Sequence, residues 1–227
     1  MTFKEYIAEN DFNPSGFFGM GYNLTNLEGI EKYESVTSLD LSDNLLTDIS
    51  PLTKLTKLEN LNLKNNLIKD ISPLAKLKNL RTLNLNKNPI ENYFPLIELK
   101  SLEILNIECN IVGDLDFLAK MKSLKFLYVS SPFLEDISGL SELNNLKGLS
   151  ISNTSNQFER YKEGNNCTTI MHLKSLLDFN YKKNIGYNMA RAILKSNSLK
   201  SVNGLSIRTI RKKLKYGTNI SILLQNI

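Results

Sequence analysis

One phrase constrains this chain more than any other feature. DISPL occupies Asp48–Leu52 and recurs at Asp70–Leu74, and a variant, DISGL, stands at Asp136–Leu140, three further intervals of 22 residues along. Stacked at that period from Val36, the sequence gives five consecutive lines of equal length: VTSLDLSDNLLTDISPLTKLTK (36–57), LENLNLKNNLIKDISPLAKLKN (58–79), LRTLNLNKNPIENYFPLIELKS (80–101), LEILNIECNIVGDLDFLAKMKS (102–123) and LKFLYVSSPFLEDISGLSELNN (124–145). A sixth begins LKGLSISNT at Leu146. A period in this range means a stack of coil turns, each burying the apolar side that its neighbour cannot bury alone.

The columns say what each part of a turn does. LxL alternates inward and outward, as a short strand with one buried face must. Leu39 and Leu41, Leu61 and Leu63, and Leu83 and Leu85 therefore point inward. Burying one such leucine contributes about 1.5–3 kcal/mol, too little for a lone turn to offset its chain entropy. Asn44, Asn66, Asn88 and Asn110 fall where the strand turns away, and a side-chain amide there can pair backbone groups that would otherwise be buried alone. DISPL is the return half of the turn. Ile49, Leu52, Ile71 and Leu74 face the core, while Pro51 and Pro73 fix φ and discourage a long helix. Asp48 or Ser50 caps the turn that follows. The phrase repeats for structural reasons and carries no chemistry of its own.

These lines match LxxLxLxxNxL and resemble the leucine-rich repeat in its 22-residue class, the one found in bacterial internalins and in the eukaryotic phosphatase-1 regulatory subunit. The resemblance covers roughly three quarters of the chain. It implies an α/β solenoid: a right-handed superhelix with a parallel concave sheet and short helical, 3-10 or extended convex arms, in about seven to eight repeats closed by caps at both ends.

Residues 1–35 read as an N-terminal cap and partial repeat, in which Phe3, Tyr6 and Ile7 suggest a short amphipathic helix and FNPSGFFGMG a joint. Repeats are expected over 36–198, with an irregular polar insertion at about 153–169. LLDFNYKKN then restores the pattern, with Leu176, Phe179, Tyr181 and Asn184 in the columns. Residues 187–227, overlapping the last repeat, resemble the C-terminal cap of eukaryotic arrays: Tyr187, Ile193, Leu194, Leu199, Val202, Asn203, Gly204 and Ile207 fall in matching places. Asn188 stands where that cap usually has Arg, and its Pro is missing. A basic helix and an apolar tail, NISILLQNI, complete the region.

Charge divides the chain. Residues 153–227 hold 13 Lys/Arg against three acids, a balance of +10, which leaves −5 for residues 1–152 of the overall +5. Arg208, Arg211, Lys212 and Lys215 form the candidate basic patch, read either as a solvated helix face or as a dock for an acidic partner or nucleic acid. The two cysteines, Cys109 and Cys167, form no disulfide framework, so a reducing compartment is expected. The start, MTFKEYIAENDF, has no basic stretch followed by a long apolar run, and no run approaches the roughly 18–20 apolar residues of a membrane span. The resemblance of the C-terminal region to the eukaryotic cap implies a cytoplasmic or nuclear protein.

Catalytic motifs do not stand out. His172 is the one histidine, and it sits in a return arm where a structural role fits better. No phosphate-binding, dinucleotide, esterase or zinc-protease signature occurs. Asp114 and Asp116 fall in the DISPL columns and read as turn caps. No enzyme, cofactor or metal is expected.

The outward strand positions are the candidate site. One column runs Ser38, Asn60, Thr82, Ile104, Phe126 and Gly148, the next Asp40, Asn62, Asn84, Asn106, Tyr128 and Ser150, and the last Ser42, Lys64, Asn86, Glu108, Ser130 and Ser152. The partner-binding residues expected are Asn60, Asn62, Lys64, Thr82, Asn84, Asn86, Ile104, Asn106, Glu108, Phe126, Tyr128 and Ser130, with Ile104, Phe126 and Tyr128 as an apolar hot spot. The resemblance implies a non-enzymatic scaffold that binds one partner protein as a monomer, with no membrane partner. Two alternatives accompany it: a ribonucleoprotein subunit like the spliceosomal A-prime protein, with nucleic acid as the lesser partner, and an internalin-type adhesion or virulence factor.

Overall fold

The computed structural model describes residues 1–9, 17–108, 110–131, 138–152, 178–182, 200–202, 205–206 and 208. Cys109, Cys167, His172, the insertion at 153–169 and most of the expected C-terminal cap lie outside the described residues. Two compact units divide the chain, Met1–Ile111 and Val112–Ile227.

The first unit opens with a helix, α1 (Phe3–Glu9). Its sequence TFKE is a capping box. The Thr2 N–H donates to Glu5 Oε2 at 2.8 Å, and the Glu5 N–H donates to Thr2 Oγ1 at 3.1 Å. The Thr2 N–H holds the Glu5 carboxyl below its ordinary pKa. Phe3 and Tyr6 are buried and Ile7 half-buried. Phe3 meets Tyr33 edge to face at 6.0 Å, and Tyr6 meets Tyr22 at 4.5 Å.

Five parallel strands follow in sequence order: β1 (Phe17–Phe18), β2 (Ser38–Asp40), β3 (Asn60–Asn62), β4 (Thr82–Asn84) and β5 (Ile104–Glu108). Register follows the repeat. Leu39, Leu61, Leu83 and Leu105 stand side by side, as do Asp40, Asn62, Asn84 and Asn106. The inward leucines of this unit are essentially solvent-free.

Strands β2, β3 and β4 each leave the sheet through a left-handed residue, Asp43 (φ 57°), Asn65 (54°) and Lys87 (55°), just before the buried asparagine. That asparagine ties two turns together. Asn66 Nδ2 donates to the carbonyls of Leu41 and Leu63, both at 3.0 Å, and its Oδ1 accepts the Leu46 N–H at 3.0 Å. Asn44 does the same with Gly19, Leu41 and Leu24, and Asn88 with Leu63, Leu85 and Ile68. Asn110 departs slightly: beside Pro89 its Oδ1 takes the Asn88 N–H instead, at 2.8 Å.

The return arms are 3-10 helices: η1 (Ile30–Lys32), η2 (Ser50–Lys54), η3 (Ser72–Lys76) and η4 (Phe94–Glu98), with proline in the first turn of the last three. Asp48 Oδ1 and Asp70 Oδ1 each accept the N–H two residues on at 2.8 Å, which is the capping role of the phrase's first letter. The third arm reads NYFPL. Asn92 replaces aspartate as the cap at 2.9 Å, and Tyr93 replaces the buried isoleucine. Burial drives the Tyr93 hydroxyl pKa far up, with the Asn110 side chain pulling against it.

The second unit contains η5 (Asp116–Lys120), β6 (Phe126–Ser130), η6 (Ser138–Glu142), β7 (Gly148–Ser152), β8 (Asp178–Lys182), β9 (Ser201–Val202) and β10 (Leu205–Ser206). Strands β6 to β9 are parallel neighbours in order, and β10 returns antiparallel to β9. Pairing of β7 with β8 sets Phe179 beside Leu149 and Tyr181 beside Ile151. In this unit Pro132 stands in the asparagine column, and the Ser131 hydroxyl, fully buried, accepts the Val112 N–H at 3.0 Å in its place.

DISGL has its own reason. A Cβ on Gly139 would collide with the Leu115 carbonyl and lie 2.8 Å from Asp116 Cα. Arms η5 and η6 pack so closely there that the proline of the other copies does not fit.

Candidate protein-binding face

The outward strand positions fall in both units. In Met1–Ile111, Asn60 is exposed, and Asn62, Lys64, Thr82, Asn84, Asn86, Ile104, Asn106 and Glu108 are half-buried. In Val112–Ile227, Phe126 is half-buried and Tyr128 is 38% exposed. Ser130 corrects the sequence reading: at 3% exposure it offers nothing to a partner. Ser42, in the same column, is 2% exposed. At this position the chain is already bending out of the strand, and a side chain as short as serine does not clear its surroundings.

The central asparagine column has a role that periodicity did not reveal. Asp40 Oδ1 accepts the Ser42 N–H at 2.9 Å, Asn62 Oδ1 the Lys64 N–H at 3.1 Å, Asn84 Oδ1 the Asn86 N–H at 3.0 Å, and Asn106 Oδ1 the Glu108 N–H at 3.0 Å. Each holds the backbone two residues on, in an Asx turn that ends the strand. The oxygen of these amides is thus committed to the fold. Asn62 Nδ2 also donates to Asp40 Oδ2 at 3.0 Å, and Asn106 Nδ2 reaches Glu108 Oε2 at 3.5 Å. Asn86 Oδ1 is buried with no partner among the described residues.

Beside the amides runs a charged row. Arg81 lies 3.1 Å from Glu103 Oε1 and 3.9 Å from Glu59 Oε2; Arg81 and Glu59 are exposed and Glu103 is half-buried. Such surface pairs contribute little to stability, and two carboxylates against one guanidinium leave the row acidic.

In the second unit the Phe126 ring lies over the backbone of Gly148, where a Cβ would sit 2.6 Å from Phe126 Cδ1. Glycine lets the ring lie down. Tyr128, whose neighbour in the next strand is the short Ser150, stands out instead. Ile104 belongs to the first unit and Phe126 and Tyr128 to the second. Of the basic patch, Arg208 is exposed, and Arg211, Lys212 and Lys215 lie outside the described residues. Among the described residues no group of His, Cys, Asp and Glu has a metal-binding arrangement, and no helix is long and apolar enough to cross a membrane.

The pattern for leucine-rich repeats in two copies matches residues 34–76 and 78–120. These residues are leucine-rich repeats. The chain's α/β fold is the leucine-rich repeat solenoid, with a parallel sheet and 3-10 return arms. An internalin (inlF) of Listeria monocytogenes is similar over 89% of this chain, with 27% identity and a TM-score of 0.67. This chain covers 62% of that internalin. Internalin C2 (inlC2) of the same organism shares 29% identity over 74% of this chain and 80% of its own, with a TM-score of 0.53. A leucine-rich repeat protein of Leptospira interrogans has the same fold at 19% identity, over 79% of this chain and 53% of its own, with a TM-score of 0.53. No curated protein matches the sequence.

Proposed function

We propose that this leucine-rich repeat protein is a non-enzymatic interaction scaffold that takes a partner protein on its outward strand face. The supporting observation is Tyr128, an exposed aromatic on an otherwise polar sheet, with Phe126 laid flat against Gly148 beside it. Aromatic anchors of this kind carry a disproportionate share of binding energy. The first unit adds half-buried amides whose oxygens are occupied by the fold, so they meet a partner mainly as N–H donors. Donors suit the carbonyl groups of a peptide chain.

The full chain serves as bait in affinity capture, wild type beside Phe126→Asp/Tyr128→Asp and beside the return-arm control Lys54→Glu. The partner is expected on the wild type and the control and not on the double variant. Equal capture by all three baits overturns the strand-face reading.

The likeness to two Listeria internalins favours a second reading, an internalin-type adhesion factor acting outside the cell. The cysteine usage favours a cytoplasmic or nuclear one. Protease treatment of intact cells separates them: digestion of the chain supports the surface, and protection until lysis supports the interior.

A further inference from the structure

Apolar side chains scattered on a surface need no explanation, whereas aligned ones do. Leu45, Leu67 and Ile111 are 44%, 49% and 63% exposed, and all three occupy one position of the repeat. Pro89, in the same register, is exposed too. The four lie on the edge of the Met1–Ile111 unit, where the chain leaves each strand. Parallel rows are about 4.8 Å apart, so the ridge runs roughly 14 Å.

The backbone puts these residues outside. A left-handed residue turns the chain, the next asparagine is buried, and the following side chain is thrust out. The fold asks only for the backbone here. The Leu45 N–H donates to Leu24 O and the Leu67 N–H to Leu46 O, both at 2.9 Å, and a polar side chain would serve those bonds equally well. Proline at 89 gives up the donor altogether and keeps an apolar surface. Leucine and isoleucine on this ridge therefore answer to something other than folding.

The flank of the ridge has a direction. The left-handed residues run acidic, neutral, basic: Asp43, Asn65, Lys87. On the other side Lys69 and Glu91 pair with each other at 3.1 Å and cancel. We infer that a second copy of this chain docks on the ridge, antiparallel, about a two-fold axis at the row of Asn65 and Leu67. A two-fold reverses the order of the rows. Each Asp43 then faces a Lys87 across the axis, twice over, and Leu45 faces Pro89. Leu67 meets its own copy. Asn65 does too, and an amide is self-complementary, with Nδ2 already giving one hydrogen to Asp43 Oδ1 at 2.8 Å. A parallel copy would set acid on acid and base on base, which the same charges disfavour. This surface is separate from the strand face, and it departs from the monomer expected from sequence.

Sedimentation velocity of the full chain over a rising concentration series tests the pairing. A concentration-dependent dimer is expected. Leu67→Glu sets two carboxylates at the axis and weakens the dimer by about tenfold or more. Asp43→Lys alone and Lys87→Asp alone each weaken it, and the two together restore it to within a few-fold, because the reversed order of charges is equally self-complementary. Thermal melts at low concentration check that each variant folds as the wild type does. A monomer at every concentration, a dimer indifferent to Leu67→Glu, or a charge swap that fails to restore association each overturns the inference. So does a monomer whose melting temperature falls on Leu67→Glu, since the ridge is then covered by the chain itself.

Discussion

Two turns of the same repeat, one in each unit, solve one problem differently. In the turn that starts at Leu58, the Asn66 amide makes four hydrogen bonds to backbone groups. In the turn that starts at Leu124, Pro132 occupies that column, and the Ser131 hydroxyl accepts the Val112 N–H. The second turn also has glycine for proline in its return arm and aromatics for amides on its strand face. Where the repeat spells its consensus, the side chains serve the stack. Where it departs, a different side chain holds the backbone and the surface acquires its most distinctive groups.

Thermal or denaturant unfolding sharpens this contrast. Asn66→Ala leaves the Leu46 N–H buried without its partner, at about 1–3 kcal/mol, and takes one of two amide donors from each of the Leu41 and Leu63 carbonyls, which Asn44 and Asn88 still serve. A total loss of roughly 2–4 kcal/mol is expected, one orphaned N–H plus two weakened carbonyl contacts. Ser131→Ala orphans one N–H and should cost about 1–2 kcal/mol. Equal losses at the two sites would break the comparison. Gly139→Ala comes between them: its Cβ meets backbone rather than a flexible side chain, so about 1–3 kcal/mol is expected. A neutral result there would mean that the arms of the second unit can separate at little cost.

The smallest effect is electrostatic. Lys78 hydrogen-bonds the Glu98 carboxylate at 2.8 Å and holds its pKa below the ordinary value of 4.5, and Lys122 does the same to Glu142 at 2.9 Å. A depressed folded pKa means a contribution present above the unfolded value and lost as pH falls through the folded one. Lys78→Ala and Lys122→Ala should therefore flatten the acid limb of the stability profile slightly, less so in high salt. An unchanged limb at low salt would show that these bridges between turns are decorative.

Much of the fold was legible because the period exposes it. Leu39, Leu61 and Leu83 stand in register in the sheet as they do in the aligned lines. The asparagine column and the aspartates that open η2, η3 and η5 act as their chemistry suggests. What stayed hidden was substitution of function between neighbouring positions. Ser131 does part of the work of an asparagine one place later, and no column shows that. The central amides looked like a binding ladder, yet their oxygens hold the strand ends. Ser130 sat in an outward column that only longer side chains escape. Alternation tells which way a residue leaves the backbone; it does not tell how far the side chain must reach to meet solvent.

The asparagine bonds have a direction with a consequence for growth of the chain. Asn66 finds Leu41 O and Leu46 N, and Asn88 finds Leu63 O and Ile68 N, all on segments made earlier. Every lock closes on residues that have already left the ribosome, and none waits for residues still to come. Within Met1–Ile111 each newly finished coil can be fastened as it emerges, so the nascent protein is latched behind itself from the amino end onward.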